Sequence, residues 1–290
     1  MDSTADNWVS TVFKQLAHAR DNTSELYLLA DQSALFDLSR IWPKSIGLKW
    51  QAVLGTSEKL GDPTPILIQL PHTAGQPTVA LGKFLKSLYG QGRWANCISL
   101  LSSNWQLDKL LLALHERTKA ELPENLAVVL RYFDTRVLPL LPKLFGIDEY
   151  QIFMGCVQKW QYLDRSGDMQ TLFEQQAQSG EDIFFGPLIF NEAQETLLIQ
   201  DGLSDAVIDQ LLEQRHPALL DCLPPETFGV VDSIVQNGRL LGFDDVIDLT
   251  LYCYAAFEHG NDFATKEPWA GEIKKAQSGQ IKLEEALGYV

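Results

Sequence analysis

The chain has 290 residues, 46% hydrophobic and 21% charged, the proportions of a folded protein with one large core or two modest ones rather than a disordered chain. Its 23 Lys and Arg against 38 Asp and Glu leave a formal charge of −15, which excludes the basic face needed to grip nucleic acid or anionic lipid. No run approaches the roughly 18 apolar residues of a spanning helix, and MDSTADNWVSTVFKQLAHAR has neither the basic start nor the apolar run of a secretion signal; a cytoplasmic chain without membrane insertion is expected.

In chain order, ELYLLAD (Glu25–Asp31) reads as a strand, with Leu26, Leu28 and Ala30 on one face. KWQAVL (Lys49–Leu54) and PILIQL (Pro65–Leu70) are short apolar runs flanked by Gly and Pro, again strands. GKFLKSLYG (Gly82–Gly90) places Phe84, Leu85 and Leu88 at helical spacing. WANCISLLSS (Trp94–Ser103) is expected as a strand and QLDKLLLALHERTK (Gln106–Lys119) as an amphipathic helix. LAVVLRYFD (Leu126–Asp134) reads as a buried strand that turns ionic, RVLPLLPKLF as a short helix limited by Pro139 and Pro142, and YQIFMGCVQKWQYLD as an alternating segment before a Ser166–Gly167 turn. Beyond QSGED the pattern becomes helical. SDAVIDQLLEQR is expected to start at a Ser204 N-cap, two helices end at glycines, and PWAGEIKKAQ with KLEEALGYV forms a closing pair. The expected fold is therefore α+β or α/β: an N-terminal lobe, residues 1–190, with a mixed sheet flanked by helices, and an all-α lobe, residues 191–290.

Catalytic signatures are scarce. Among His18, His72, His115, His216 and His259 none lies in a nucleophile–base motif, and the phosphate-loop order is missing from GTSEKLGD. His115 and His216 are expected near helix ends, where a cation suits the dipole. The carboxylates of GFDDVID lack calcium-loop spacing and read as helix capping. Cys97, Cys156, Cys222 and Cys253 are far apart among apolar neighbours, as expected of buried thiols rather than a disulfide frame or a zinc site. No cofactor and no metal are expected.

The ionic hexad Arg131–Arg136 between two apolar segments has two readings. Asp134 can cap a following helix, with Arg131 and Arg136 pairing to it as a rigid corner. Alternatively the arginines face outward and clamp a partner's carboxylate or carbonyl groups. Trp42, Trp50, Trp94, Trp105 and Trp160 fall around strand ends, as core packing or as anchors of a peptide-binding groove.

Several of these segments, in order, resemble the bacterial type VI secretion effector adaptor/chaperone family: ELYLLADQSALFDL, PILIQL, GRWANCISLLSSNWQLDKLLLAL, LRYFDTRVLPLLPKLF, FMGCVQKWQYLDRSGD and NEAQETLL, covering most of residues 25–200. The most specific match is R-[FY]-[FY]-D-x-R-V-L at Arg131–Leu138, with Thr135 where the family usually has Pro; its usual F-F-G-P reads F-M-G-C at Phe153–Cys156. The C-terminal lobe is similar only by helix pattern and by RLLGFDDVIDLTLYCYAAFEHG. The resemblance implies a non-enzymatic cytoplasmic adaptor that binds the N-terminal or membrane-inserting segment of a cognate effector toxin and helps load it onto a secretion spike protein. A cleft between the lobes would shelter that segment, and the partner-binding candidates are Trp94, Arg131, Tyr132, Asp134, Arg136, Phe153 and Trp160. Two other readings stand beside it: an immunity protein neutralising a toxin through its acidic surface, and a hydrolase using Asp134 with His72 or His115.

Overall fold

The computed structural model describes residues 3–55, 57, 59–71 and 78–289. They form two compact units, Met1–Glu195 and Thr196–Val290. Sequence reading leaves the first helix unassigned. It is α1 (Ser3–Asp21), whose Trp8, Val12 and Leu16 recur every four residues and bury one face. There follow β1 (Glu25–Asp31), the short α2 (Leu38–Ile41), β2 (Lys49–Ala52), β3 (Pro65–Gln69), α3 (Val79–Gly92), β4 (Ile98–Ser103) and α4 (Leu107–Glu116). Then come β5 (Lys119–Leu122), β6 (Leu126–Val129), α5 (Leu141–Leu144), α6 (Ile147–Met154), β7 (Lys159–Leu163), β8 (Met169–Glu174) and β9 (Leu188–Ile189). The second unit holds most of α7 (Glu192–Glu213), then α8 (Pro224–Leu240), α9 (Val246–His259), α10 (Trp269–Gln277) and α11 (Leu283–Leu287).

The main sheet has the order β2-β3-β1-β4-β7-β8, and every pairing in it is antiparallel. The α+β class is the one realised. Only the small sheet, β6-β5-β9, is mixed, because β5 pairs antiparallel with β6 and parallel with β9. β1 is central and buried on both faces, which explains why ELYLLAD is apolar almost throughout instead of alternating. Its Leu26, Leu28 and Ala30 pack with Ile66, Ile68, Ile98 and Leu100 under α1 and α3. On the opposite face Tyr27 donates its hydroxyl to the Trp105 carbonyl at 2.7 Å. Each fully buried leucine of this layer stabilises the fold by about 1.5–3 kcal/mol relative to exposure.

Several boundaries differ from expectation, each for a local reason. The strand expected from Trp94 starts at Ile98, because Asn96 takes a positive φ of 51°. The helix expected to reach Lys119 ends at Glu116, and Lys119 opens β5 instead. β6 is not buried. It is the edge of the small sheet, paired on one side only, and Leu126 and Val129 are exposed. The segment from Tyr150 alternates only from Lys159 onward; its first part is the end of α6.

In the second unit Leu203, Val207 and Leu211 of α7 meet Val231, Ile234 and Val235 of α8 and Leu249, Tyr252 and Cys253 of α9. Ser204 is not an N-cap. It lies inside α7 and donates its hydroxyl to Asp232 at 2.7 Å. Asp245 does cap α9, accepting from the Ile247 N–H at 2.8 Å. Gly238 lets α9 approach closely: a Cβ there would lie 2.9 Å from Leu249 Cδ2.

Candidate functional site

The hexad forms a turn, not a helix start. The Asp134 N–H donates to the Arg131 carbonyl at 2.9 Å, which ends the extended run before the aspartate. The Asp134 carboxylate accepts the Arg136 backbone N–H at 3.0 Å in an Asx-type turn, then the same guanidinium through Nε at 2.9 Å and Nη2 at 2.6 Å. Half of the expected corner is therefore present. Arg131 turns away and reaches Asp31 at 3.2 Å, a buried carboxylate at the end of β1 that also accepts from Ser33. The anchor is Thr135. Its N–H donates to the Asn96 carbonyl and its hydroxyl to the Leu163 carbonyl, both at 2.8 Å, tying the turn to the entry of β4 and the end of β7. Burial pushes the nearby Cys97 thiol up, with Asp31 and Asp134 adding to the effect.

Three of the expected partner contacts are interior residues. Tyr132, Phe153 and Trp160 have no exposed surface; Tyr132 packs edge-on against the other two and donates its hydroxyl to the Leu114 carbonyl at 2.6 Å. The expectation that they touch a partner is corrected to core packing, since large aromatics are drawn to the centre of an apolar layer. Trp94 is half-buried, and the Arg93 guanidinium lies 3.9 Å from its ring centre. Arg131 is exposed and Arg136 half-buried.

Of the two histidines expected near helix ends, His115 does lie in the last turn of α4. His115 Nδ1 lies 2.9 Å from the Val53 carbonyl. His216 is not a cation at a helix end: its Nδ1 accepts the Ala218 N–H at 3.2 Å, and burial lowers its pKa. His72 lies outside the described residues.

The feature that sequence reading missed is Arg117. It follows α4 directly, is entirely buried, and its guanidinium faces the C-terminal ends of two helices. Nη1 donates to the Ala113 carbonyl of α4 at 2.8 Å, Nε to the Phe153 carbonyl of α6 at 2.6 Å, and Nη2 to Ile152 of α6 at 3.2 Å. Both macrodipoles thus favour the cation, which adds a second donor to the Ala113 and Ile152 carbonyl groups, already bonded by the Arg117 and Gly155 N–H groups, and bonds that of Phe153. Its counterion is Asp182, held bidentately at 2.7 and 2.8 Å. Burial alone would raise the Asp182 carboxyl. The bonds and charge of Arg117 outweigh this, with the Phe184 N–H and Lys109 helping, and the pKa falls below its ordinary value. The guanidinium also lies 4.5 Å from the ring centre of Phe184.

Asp182 belongs to a strap, residues 175–190, that runs irregularly over the ends of α4 and α6 into β9. Gln178 bonds the Cys156 carbonyl at 2.7 Å and accepts from the Asn104 N–H at 2.8 Å, and the Trp105 indole donates to the Ser179 carbonyl at 3.0 Å. Lys109 donates to the Gly180 carbonyl. At the far end the Phe190 N–H donates to the Glu121 carbonyl at 2.9 Å, beside the parallel pairing of β5 and β9. Between these anchors the side chains alternate. Phe184 and Phe190 point in, whereas Ile183, Phe185 and Ile189 are 61%, 89% and 66% exposed. They border a groove of about 410 Å³ whose other walls include Phe145, Glu149, Ile152 and Gln194. A polar groove of about 780 Å³ lies elsewhere in this unit, lined by Lys14, Gln15, His18, Gln158 and Lys159 among others.

Among the described residues no helix is long and apolar enough to cross a membrane, and no group of three or more His, Cys, Asp or Glu side chains is placed to hold a metal ion. Residues 26–149 match the family model described as Domain of unknown function (DUF4123). No curated protein and no solved structure matches the chain. The matched segment contains the ionic turn and Arg117, whereas the strap that Arg117 holds lies beyond it.

Proposed function

We propose that the chain is a cytoplasmic adaptor that holds a client polypeptide, a type VI secretion effector toxin, and helps deliver it to the spike. The observation that carries this reading is the strap: three large apolar side chains held out to solvent by a backbone anchored at Gln178, Ser179, Gly180, Asp182 and Phe190. Apolar side chains exposed together on a rigid support suit capture of another chain, because burying them removes apolar area from water without first ordering a loop. The resemblance of residues 25–200 to effector adaptors overlaps the matched domain at 26–149 and supports the same reading. The seven residues expected at the interface then divide. Arg131, Arg136 and Trp94 retain exposed surface for a partner, while Asp134 orients Arg136.

The ionic turn gives the hydrolase reading less support, because the Asp134 carboxylate already accepts from the backbone and guanidinium of Arg136. A base in waiting would have an unengaged oxygen facing a substrate.

The test is co-expression with the effector encoded beside the gene. The two chains are expected to co-elute from a sizing column, and the effector alone to be insoluble or unstable. Separate elution of two soluble chains would overturn the proposal.

A further inference from the structure

We infer that the groove beside the strap takes an apolar polypeptide segment flanked by lysine or arginine. The inference rests on the adaptor reading and names the chemistry of the client. Its first support is the apolar floor and rim, Phe145, Ile152, Ile183, Phe185 and Ile189, of which Phe185 is the most exposed. Its second is charge. From Ser166 to Glu195 the sequence has 6 Asp and Glu and no Lys, Arg or His, and this segment supplies the strap, β9 and the start of α7. α6 adds Asp148 and Glu149, both exposed, and Glu149 lines the groove itself. Glu192 is exposed and lies two residues before the lining residue Gln194. The basic residues of the adjoining elements are Lys143 on α5, Lys119 on β5, which is paired with Glu116 at 2.6 Å, Lys109 on α4, which is held by the Gly180 carbonyl, and Arg117, which is buried and paired with Asp182.

A segment that inserts its apolar side chains between Phe185 and Ile152 therefore brings its ends over carboxylates. Basic ends are attracted and acidic ends repelled, with little change in the apolar contact itself. The same charge disfavours two other occupants. A second copy of this chain would bring an identical acidic rim, and an anionic membrane would be repelled. The strap's anchors keep the groove formed before binding, which lowers the ordering cost of capture.

The experiment uses the full chain and fluorescently labelled peptides read by anisotropy: one Leu/Val/Phe core flanked by lysines, the same core flanked by glutamates, and a serine core flanked by lysines. The lysine-flanked apolar peptide is expected to bind at least about tenfold tighter than the glutamate-flanked one, a difference of about 1.4 kcal/mol, and added salt should narrow the gap. Phe185→Glu, at a position that packs against little, should melt as the wild type and lose most of that binding. Equal affinity for both flanks, tight binding of the serine-core peptide, or indifference to Phe185→Glu would each overturn the inference. So would a self-associating chain that Phe185→Glu makes monomeric, since the occupant would then be a second copy. Co-elution of the effector with both the wild type and Phe185→Glu would remove the groove and leave the adaptor standing. Selective peptide binding without any effector co-elution would instead remove the adaptor and leave the groove's preference intact.

Discussion

Replacing Asp182 with alanine isolates the contact on which the strap depends. Arg117 has no exposed surface, while the Asp182 side chain is 23% exposed. In Asp182→Ala the guanidinium keeps its acceptors at Ala113, Ile152 and Phe153 but loses the carboxylate it is paired with. Removing one member of a buried ion pair costs about 3–5 kcal/mol, because the other charge stays buried without compensation. Two features reduce that figure here. The helix-end carbonyl groups continue to solvate the cation, and water can reach the partly exposed Asp182 position. The expected loss is therefore about 2–3 kcal/mol at neutral pH. Urea unfolding followed by tryptophan fluorescence reports it, since Trp8, Trp42, Trp50, Trp94, Trp105 and Trp160 all lie in the first unit and only Trp269 in the second. Trp105 is itself bonded to the strap through Ser179. Chymotrypsin gives a local readout, with faster cleavage after Phe184 and Phe185 than in the wild type. A stability change under about 0.5 kcal/mol, the range of an ordinary surface substitution, with wild-type proteolysis, would refute the claim that this pair fixes the strap.

Three further outcomes follow from the geometry. The Asp182 pKa lies below its ordinary value of 3.8 in the fold, so the unfolded chain binds that proton more readily; the pair's contribution is complete above the ordinary value and fades as pH falls through the depressed one. The stability gap between the wild type and Asp182→Ala should accordingly stay flat above about pH 5 and close in acid, as urea midpoints measured across pH will show. Asp134→Ala removes the acceptor of the Arg136 backbone N–H and guanidinium and is expected to cost about 1–2 kcal/mol, whereas Arg131→Ala, an exposed arginine on Asp31, should cost under about 1 kcal/mol by the same denaturation assay. Gly238→Ala places a methyl group 2.9 Å from Leu249 Cδ2 and 3.2 Å from Tyr252 Cδ1, and should lower the thermal stability of the second unit by about 1–3 kcal/mol.

The central strand β1 and the capped helix α9 were legible because one local signal decides each, whereas the two longest helices were not: α1 was left unassigned and α7 starts at Glu192, well before Ser204. β1 is apolar on both faces and has the bounds that ELYLLAD implies, and α9 starts where Asp245 caps it. What escaped notice depends on partners distant in the chain. β5 is only Lys119–Leu122, too short to carry a period, and it is a strand because β6 and β9 lie on either side of it. Asp134 was readable as an acceptor for Arg136, two residues away. Arg131 could not be matched to Asp31, because their meeting requires β1 to lie beside the turn across 100 residues of sequence. Arg117 was hidden for the same reason. In HERTK it looks like the solvated basic end of an amphipathic helix, and only the return of the strap at Asp182 makes it a buried ion. The exposed strap aromatics carried a faint sequence signal: FF beside a Gly-Pro turn in an acidic, irregular stretch has no element in which to bury both rings.

The buried arginine has a physical logic that an apolar residue would not supply. A leucine at position 117 could fill the space between the ends of α4 and α6, but it would leave the carbonyl groups of Ala113, Ile152 and Phe153 without their guanidinium donor. It would also grip the strap without direction, since apolar packing tolerates sliding. The planar guanidinium has donors on both sides. One set is fixed by two helix ends, so the other points along a single line, and only a carboxylate at position 182 meets it with two bonds. That fixes the strap's register to within a residue. With Asp182 locked, Phe184 must turn inward onto the guanidinium and Phe185 must turn outward. The Arg117–Asp182 pair thus acts with the anchors at Gln178, Ser179, Gly180 and Phe190 on a strap whose Phe185 side chain faces outward.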